Sequence, residues 1–403
     1  MQKVLIIDPE CRFAHGHYLP TTRSLLSAFA DSRRFVAIHR KASPLIVFDD
    51  DVTVWKWPDV RTLSRRIFRQ VEHTAYYRSV VMSRDAKAML QFARRAKMDA
   101  GDVIIFHSAW PDQAKSLAQF ARQLGPEGAS LHVRLIGEIR NEQLRSEDEA
   151  GLSSFARALD ELPNLHLYTE TIEMSAELEA CHGFPPARQW LTPMNIRQGG
   201  IPSAKDAAAD CFVVGMLGGK RKEQGIELIP DIIRLLAERL REEEAPGRMR
   251  VLIQKPGGLS NGAAGSGEAR RFMASLMAFD ASDVLELELL EPELDATAFA
   301  DAIDRSHVLV LPYDIHSYRS RGSGLIIEAA MSGTPVIVAR GFAMADWQEM
   351  AGSPTATSIA EYVEAVLTVA RDYQRYRDGA VRAGQAMHRA MAERIVEIRA
   401  GGH

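Results

Sequence analysis

Cysteine is scarce in this chain: Cys11, Cys181 and Cys211 are the only three in 403 residues. Their spacing matches no metal-binding pattern. An odd, scattered set argues against a disulfide framework and points to a reducing compartment. No window approaches the roughly 18 apolar residues of a membrane-spanning helix. The opening MQKVLIIDP has one lysine and a brief apolar run that meets Asp8, so it reads as a first strand rather than a secretory signal. The net charge of −4 gives no overall sign of nucleic-acid binding. Asp49, Asp50 and Asp51 read as a turn, and no metal cluster stands out. No internal repeat appears, and no G-x-G-x-x-G dinucleotide fingerprint, which disfavours an NAD protein. The expectation is a cytoplasmic protein without a bound metal.

Apolar runs of strand length alternate with helical patterns along the chain. They include Val4–Ile7, 35–42, 52–57, 102–106, 132–136, 165–169, 211–214, 251–254, 285–290, 307–311 and 334–338. Short buried runs separated by helices predict parallel, doubly wound α/β sheets. The length suits two domains of roughly 150–200 residues. Residues 191–201, with Pro and two Gly and no periodicity, read as the linker between them. Long helices are expected over 359–371 and 376–398.

One stretch draws charge and glycine together. After the apolar run 307–311 comes PYDIHSYRSRGSG, and then a helix opens at Leu325. A glycine loop at a helix N-terminus offers unpaired N–H groups and the positive end of the helix dipole, which suits a phosphate. Arg319 and Arg321 add cations that fork onto phosphate oxygens. Glu328, about one turn into the helix, puts a carboxylate within reach of two ribose hydroxyls. A second phosphate candidate is 215–225, GMLGGKRKEQG, with Gly218, Gly219, Arg221 and Lys222. It reads either as a phosphate loop or as a basic turn before a helix.

The pattern of Tyr318, Arg321, Ser323-Gly324, Glu328-Ala329-Ala330-Met331 and Gly333-Thr334-Pro335-Val336 resembles the donor-binding segment of family 4 retaining glycosyltransferases of the GT-B fold. The resemblance follows the order of elements through nearly the whole chain, with its specific residues in 211–340. It implies two Rossmann-like domains facing a cleft: 1–195 on the acceptor side and 196–375 for the nucleotide-sugar donor. A helix over 376–403 would cross back to the first domain. It implies donor contacts from Gly218, Gly219, Lys222, Gln254, Tyr318, Gly322, Ser323, Gly324, Leu325 and Glu328. Catalytic roles fall to Arg221, Arg321 and His107, and Gly16 and His17 face the acceptor. Read singly, His17 is more often an ordinary loop residue, and His107 could equally be a structural one. Many family members carry two glutamates seven residues apart; here the earlier position falls on Ser320 or Arg321.

The implied reaction moves a sugar from a nucleoside diphosphate to an acceptor hydroxyl, with retention. The arginines take the place of a divalent metal, and the product belongs to polysaccharide or glycolipid assembly. A nucleotide-sugar epimerase or hydrolase, and a non-catalytic sugar-nucleotide-binding protein, remain open alternatives. Residues 61–98 hold ten basic residues against Glu72 and Asp85, interleaved with apolar ones. They fit either a peripheral contact with an anionic membrane, where a lipid-linked acceptor would sit, or a solvated helix pair.

Overall fold

The structure is a computed structural model. It describes residues 1–13, 18–58, 75–137, 146–191, 211–218, 222–242, 248–256, 267–278 and 284–401. The chain divides into two compact units. The first takes Met1–Met194, Ser320–Gly322 and Ala390–His403; the second takes Asn195–Arg319 and Ser323–Arg389.

The first unit is built on seven parallel strands in the order β3-β2-β1-β4-β5-β6-β7. They are β1 (Lys3–Asp8), β2 (Arg33–Ile38), β3 (Thr53–Lys56), β4 (Val103–Ala109), β5 (Ser130–Leu135), β6 (Leu165–Thr169) and β7 (Arg188–Gln189). The central strands β1, β4 and β5 are almost wholly buried because helices cover both faces of a parallel sheet, while the edge strand β3 is largely exposed. Leu5, Ile7 and Ile104 belong to one core, and Val4, Ile6 and Ile105 to the other. The strand expected over 35–42 ends at Ile38, where the chain turns and Ala42 N–H donates to the His39 carbonyl.

The helices of this unit are α1 (Tyr18–Ala28), α2 (Ala75–Ala96), α3 (Ala114–Leu124), α4 (Ser146–Glu161) and α5 (Ile172–His182). Thr171 caps α5 by accepting the Met174 N–H, and Gly183 closes it in a left-handed conformation. The basic stretch 61–98 is described only from Ala75 onward. Ala86, Met89, Phe92, Ala93 and Ala96 of α2 recur at helical spacing and are buried in the core, with Phe92 stacked on Trp55 at 5.6 Å.

The second unit has six parallel strands in the order β10-β9-β8-β11-β12-β13. They are β8 (Cys211–Met216), β9 (Arg248–Gln254), β10 (Leu285–Leu290), β11 (Val308–Leu311), β12 (Val336–Ala339) and β13 (Thr355–Ala356). Its helices begin with α6 (Ile229–Glu242), α7 (Gly267–Met277) and α8 (Ala296–Arg305). They continue with α9 (Ile315–Tyr318), α10 (Gly324–Met331), α11 (Ala345–Ala351) and α12 (Ile359–Arg371). The helix expected from Ile226 opens as a short 3₁₀ turn over Ile226–Leu228 before α6. Pro230 then takes the second position of α6, where its missing N–H has no helical partner to lose.

The last helix, α13 (Tyr373–Arg399), is longer than the expected 376–398 and divides differently from the expected boundary at 376. It stays with the second unit as far as Arg389. The physical reason lies in close packing: a Cβ at Gly384 would overlap the Ala330 carbonyl of α10. A helix-interior glycine costs about 1 kcal/mol of propensity, and here it permits that approach. Beyond Ala390 the helix packs in the first unit. Arg399 pairs with Asp31 and donates to the Ala28 carbonyl at 2.9 Å, and Arg394 donates to the Gln189 carbonyl at 3.1 Å. Among the described residues no helix is long and apolar enough to cross a membrane.

A buried histidine on β5 makes the first unit's stability sensitive to pH. His132 has no exposed surface, stacks on His166 at 4.6 Å and bonds Tyr168 Oη at 3.0 Å. Burial, then the neighbouring His166, push its pKa well below the ordinary 6.5. The unfolded chain therefore binds a proton that the folded one refuses, and stability falls as pH drops below 6.5. The expected loss is about 1.4 kcal/mol per pH unit until the folded imidazole itself titrates. Thermal midpoints from pH 7.5 to 5 should show that fall, with a shallower slope in His132→Gln. Equal slopes in the two proteins would contradict the assignment.

Candidate functional site

In a doubly wound sheet the crossovers reverse direction at one pair of central strands. Helices then leave to opposite faces, and a crevice opens outside the carboxyl ends of those strands. The strand orders place this reversal between β1 and β4 in the first unit, and between β8 and β11 in the second. Both phosphate candidates of the sequence follow the second pair.

The loops after β8 and β11 are tied to each other within the second unit. Asp314 N–H donates to the Glu223 carbonyl at 2.9 Å. Gly225 is held at φ +70°, and a Cβ there would overlap the Pro312 carbonyl, so only glycine lets the loops approach this closely. Gly218, at φ +75°, lies against Tyr313 and Leu325: a Cβ added there would sit 3.3 Å from Tyr313 Oη and 3.5 Å from Leu325 Cδ2. The turn after β8 thus reaches the first turn of α10. Gly219 and Arg221 lie outside the described residues.

Two predicted donor residues act on the scaffold. Gln254, 3% exposed at the end of β9, accepts the Gly218 N–H at 2.9 Å and donates to the Pro292 carbonyl at 3.1 Å. Both ends of its amide hold backbone, so it fixes the turn at Gly218. Tyr318, 3% exposed, stacks on Phe342 at 5.5 Å and lies tilted against Tyr313 at 4.6 Å. Its ring is part of the packing that supports the loop after β11.

Ser323 takes the N-cap position of α10 without capping it with its side chain; Gly324 and Leu325 open the helix, and Glu328 follows one turn on, partly buried. The N–H groups of an uncapped first turn are available to an anion. Arg321 and Gly322 group with the first unit. There Gly322 N–H donates to Glu170 Oε2 at 3.2 Å, and Thr171 Oγ1 donates to the neighbouring Ser320 carbonyl at 2.5 Å. Beside the tied loops of the second unit is a cavity of about 610 Å³, whose lining includes Lys222, Tyr313, Asp314, Ser317 and Arg340. Arg340, just after β12, gave no sequence signal because it is a lone cation beside a single glycine, Gly341. Asp314 caps α9, accepting from His316 and Ser317; burial alone would raise its carboxyl, but those hydrogen bonds bring it below the usual range.

At the reversal point of the first unit, His107 is 2% exposed and lies inside β4 rather than beyond its end. Its Nε2 is 3.2 Å from Asp8 Oδ2. Burial would raise the Asp8 carboxyl, but the charge and hydrogen bond of His107, then Thr22 and Ser108, hold it low. Arg134, fully buried, donates to the His107 carbonyl at 3.2 Å and the Trp190 carbonyl at 2.7 Å. Asp8 and Arg134 escaped the sequence reading because each sits in an apolar strand that looks complete without them. Gly16 and His17 lie outside the described residues. Among those residues no cluster of three or more His, Cys, Asp or Glu could hold a metal.

No family model matches the chain, and no curated protein matches it. Solved structures do. Sucrose-phosphate synthase from Thermosynechococcus elongatus matches with a TM-score of 0.65 at 14% identity, over 98% of this chain and 98% of that one. A UDP-forming α,α-trehalose-phosphate synthase from Burkholderia vietnamiensis gives 0.63 at 11% identity, over 99% and 100%. Anabaena HepE, solved in complex with UDP, gives 0.60 at 13% identity, over 99% and 98%. At these identities the likeness speaks to fold: the chain has the GT-B fold of glycosyltransferases, with its two Rossmann-like parallel-sheet domains.

Proposed function

We propose that this protein is a glycosyltransferase that moves a sugar from a nucleoside-diphosphate sugar to an acceptor hydroxyl. The observation that carries the reading is the meeting of two sequence-distant loops at the β8/β11 reversal point, where Gly218 packs against Leu325 in the first turn of α10. A glycine turn facing an uncapped helix N-terminus makes a diphosphate cradle. Glu328 on the same helix is the ribose ligand in this reading. The solved relatives named UDP-forming, or holding UDP, make uridine diphosphate the first nucleotide to try.

The barrier is departure of the diphosphate from the anomeric carbon. Negative charge grows on the β-phosphate as that bond breaks. Arg221, Arg321, Lys222 and the N–H groups near Ser323 and Gly324 would hold that charge more tightly in the transition state than in the ground state. One such donor is worth on the order of 3 kcal/mol. In this scheme the cations stand in for a metal. Retention, a carbohydrate or lipid-linked acceptor, a place in polysaccharide or glycolipid assembly and a cytoplasmic location follow the sequence resemblance.

A thermal-shift panel of UDP, GDP, ADP, dTDP and NAD tests the reading directly. One nucleoside diphosphate, at about 100 times its Kd, is expected to stabilise the protein by about 2.7 kcal/mol. No shift with any of them, or a shift with NAD alone, would overturn the proposal. A nucleotide shift with no turnover across an acceptor panel would favour a binding protein.

Glu328→Ala is expected to weaken nucleoside-diphosphate binding roughly 10- to 100-fold, the worth of hydrogen bonds to a charged group. Unchanged affinity would remove it from the ribose. Arg321→Ala is expected to lower nucleotide-sugar affinity and turnover together, and wild-type kinetics would take it out of the site. Gln254→Leu leaves the Gly218 N–H and the Pro292 carbonyl without partners. It should cost about 1–3 kcal/mol in urea unfolding, and an unchanged midpoint would count against its role in fixing the turn.

A further inference from the structure

The cavity of about 610 Å³ in the second unit lies at the carboxyl ends of β11, β12 and β13. Pro312 follows β11, Ala339 ends β12 and Ala356 ends β13, and all three line it. The carboxyl edge is where open α/β sheets bind ligands, and the volume falls within the roughly 300–1,000 Å³ of small-molecule sites. The two alanines carry too little bulk to fill the space beyond their strands. The tied loops that run from Lys222 and from Pro312 close it on another side.

This cavity is separate from the diphosphate cradle. Gly218, Gln254, Leu325 and Glu328 do not line it. Tyr313 is the wall between the two: it lines the cavity, and its hydroxyl is the group against which Gly218 lies.

Tyr362, on α12, gives the cavity a buried polar group. It is 4% exposed, its ring belongs to the core of the second unit, and it lines the cavity. Among the described residues its hydroxyl has no hydrogen-bond partner, and burial alone pushes the phenol up. It therefore keeps its proton at neutral pH and offers one donor and two lone pairs. A buried hydroxyl left without a partner is costly unless water or a ligand completes it.

The groups around it select the chemistry of that ligand. Lys222 and Arg340 line the cavity together with Glu223, Glu227 and Asp314. Arg340 gives Nη2 to Glu361 at 3.2 Å, and its other guanidinium donors remain. Ser317 and Thr357 donate their hydroxyl protons to Asp314 and Glu361, at 2.9 and 2.8 Å, so any further bond they make is as acceptors. An anion would meet three carboxylates, and a cation would meet Lys222 and Arg340. An apolar molecule would strand the Tyr362 hydroxyl. A neutral molecule rich in hydroxyls meets none of these penalties. Its O–H groups donate to the carboxylates and to Ser317 and Thr357, and they accept from Arg340 and Tyr362. Leu228 and Ile315 give its C–H faces apolar contact.

We propose that this cavity is a binding site for a neutral sugar, held by the Tyr362 hydroxyl and the Arg340 guanidinium and distinct from the nucleotide site. It is built by the second unit alone and does not depend on the transferase reading. Arg340 supplies the donor even where Lys222 is engaged by a diphosphate.

Fluorine NMR on protein carrying 3-fluorotyrosine reads the cavity directly, with the Tyr362 signal assigned by its loss in Tyr362→Phe. Titration with the methyl glycosides of glucose, galactose and mannose should move that signal for at least one of them. Calorimetry should give that glycoside the same affinity with and without saturating UDP. Tyr362→Phe should weaken it roughly 2- to 10-fold and Arg340→Gln roughly tenfold, the worth of one hydrogen bond each. The UDP thermal shift should be unchanged in both variants. A Tyr362 signal that no glycoside moves would overturn the proposal. So would a signal moved by inorganic phosphate or ethylammonium instead, or glycoside affinity that neither variant lowers. Displacement of the glycoside by UDP would make the cavity part of the nucleotide site and overturn its separateness. Arg340 is exposed, so Arg340→Gln keeps the test open should Tyr362→Phe fail to fold.

Discussion

Parallel strands all end on the same edge of their sheet, and most returns pass through a helix. That constraint governs both units. At one pair of central strands the winding changes direction, and the helices that follow that pair leave to opposite faces of the sheet. In the first unit the pair is β1 and β4, and the residues gathered there are Asp8, His107 and Ser108. In the second it is β8 and β11, and the residues gathered there are Gly218, Glu223 and Pro312–Asp314.

Holding such an edge open takes polar groups whose partners are complete. A buried carboxylate costs several kcal/mol unless hydrogen bonds and an opposite charge compensate it. Asp8 is held by Thr22, Ser108 and the Glu10 N–H, with His107 Nε2 beside it. Gln254 does the same service with a neutral amide, fastening the Gly218 turn to the Pro292 carbonyl. His132 contrasts with these. It lies in the middle of β5, bonded to Tyr168 and Ser130, and belongs to the core of the sheet. Its burial, with His166 beside it, is what makes it a liability at low pH.

The glycines follow the same logic of close approach. Gly225 and Gly384 are each required by a backbone carbonyl of another segment, Pro312 and Ala330, that leaves no room for a Cβ. The first ties the loops after β8 and β11 together. The second keeps the opening turns of α13 on the second unit, so the long helix changes allegiance near Arg389 and not where its sequence pattern begins.

The sequence by itself determined the elements and the class of fold. Apolar runs such as VLII and HVLVL are buried on both faces, and the helix expected over Ile359–Arg371 has those ends. The glycine and arginine loops around residues 215–225 and 312–325 were legible because their composition is local and unusual. What only the tertiary structure decided is which residues meet. Asp8 and His107 are 99 positions apart, and Gly218 and Leu325 are 107. Neither pair leaves a mark in spacing, because the pairing depends on strand order in the sheet. The double engagement of Gln254 is likewise a product of register and packing. A periodic pattern reports which face of an element is buried; it carries no record of what the buried face touches.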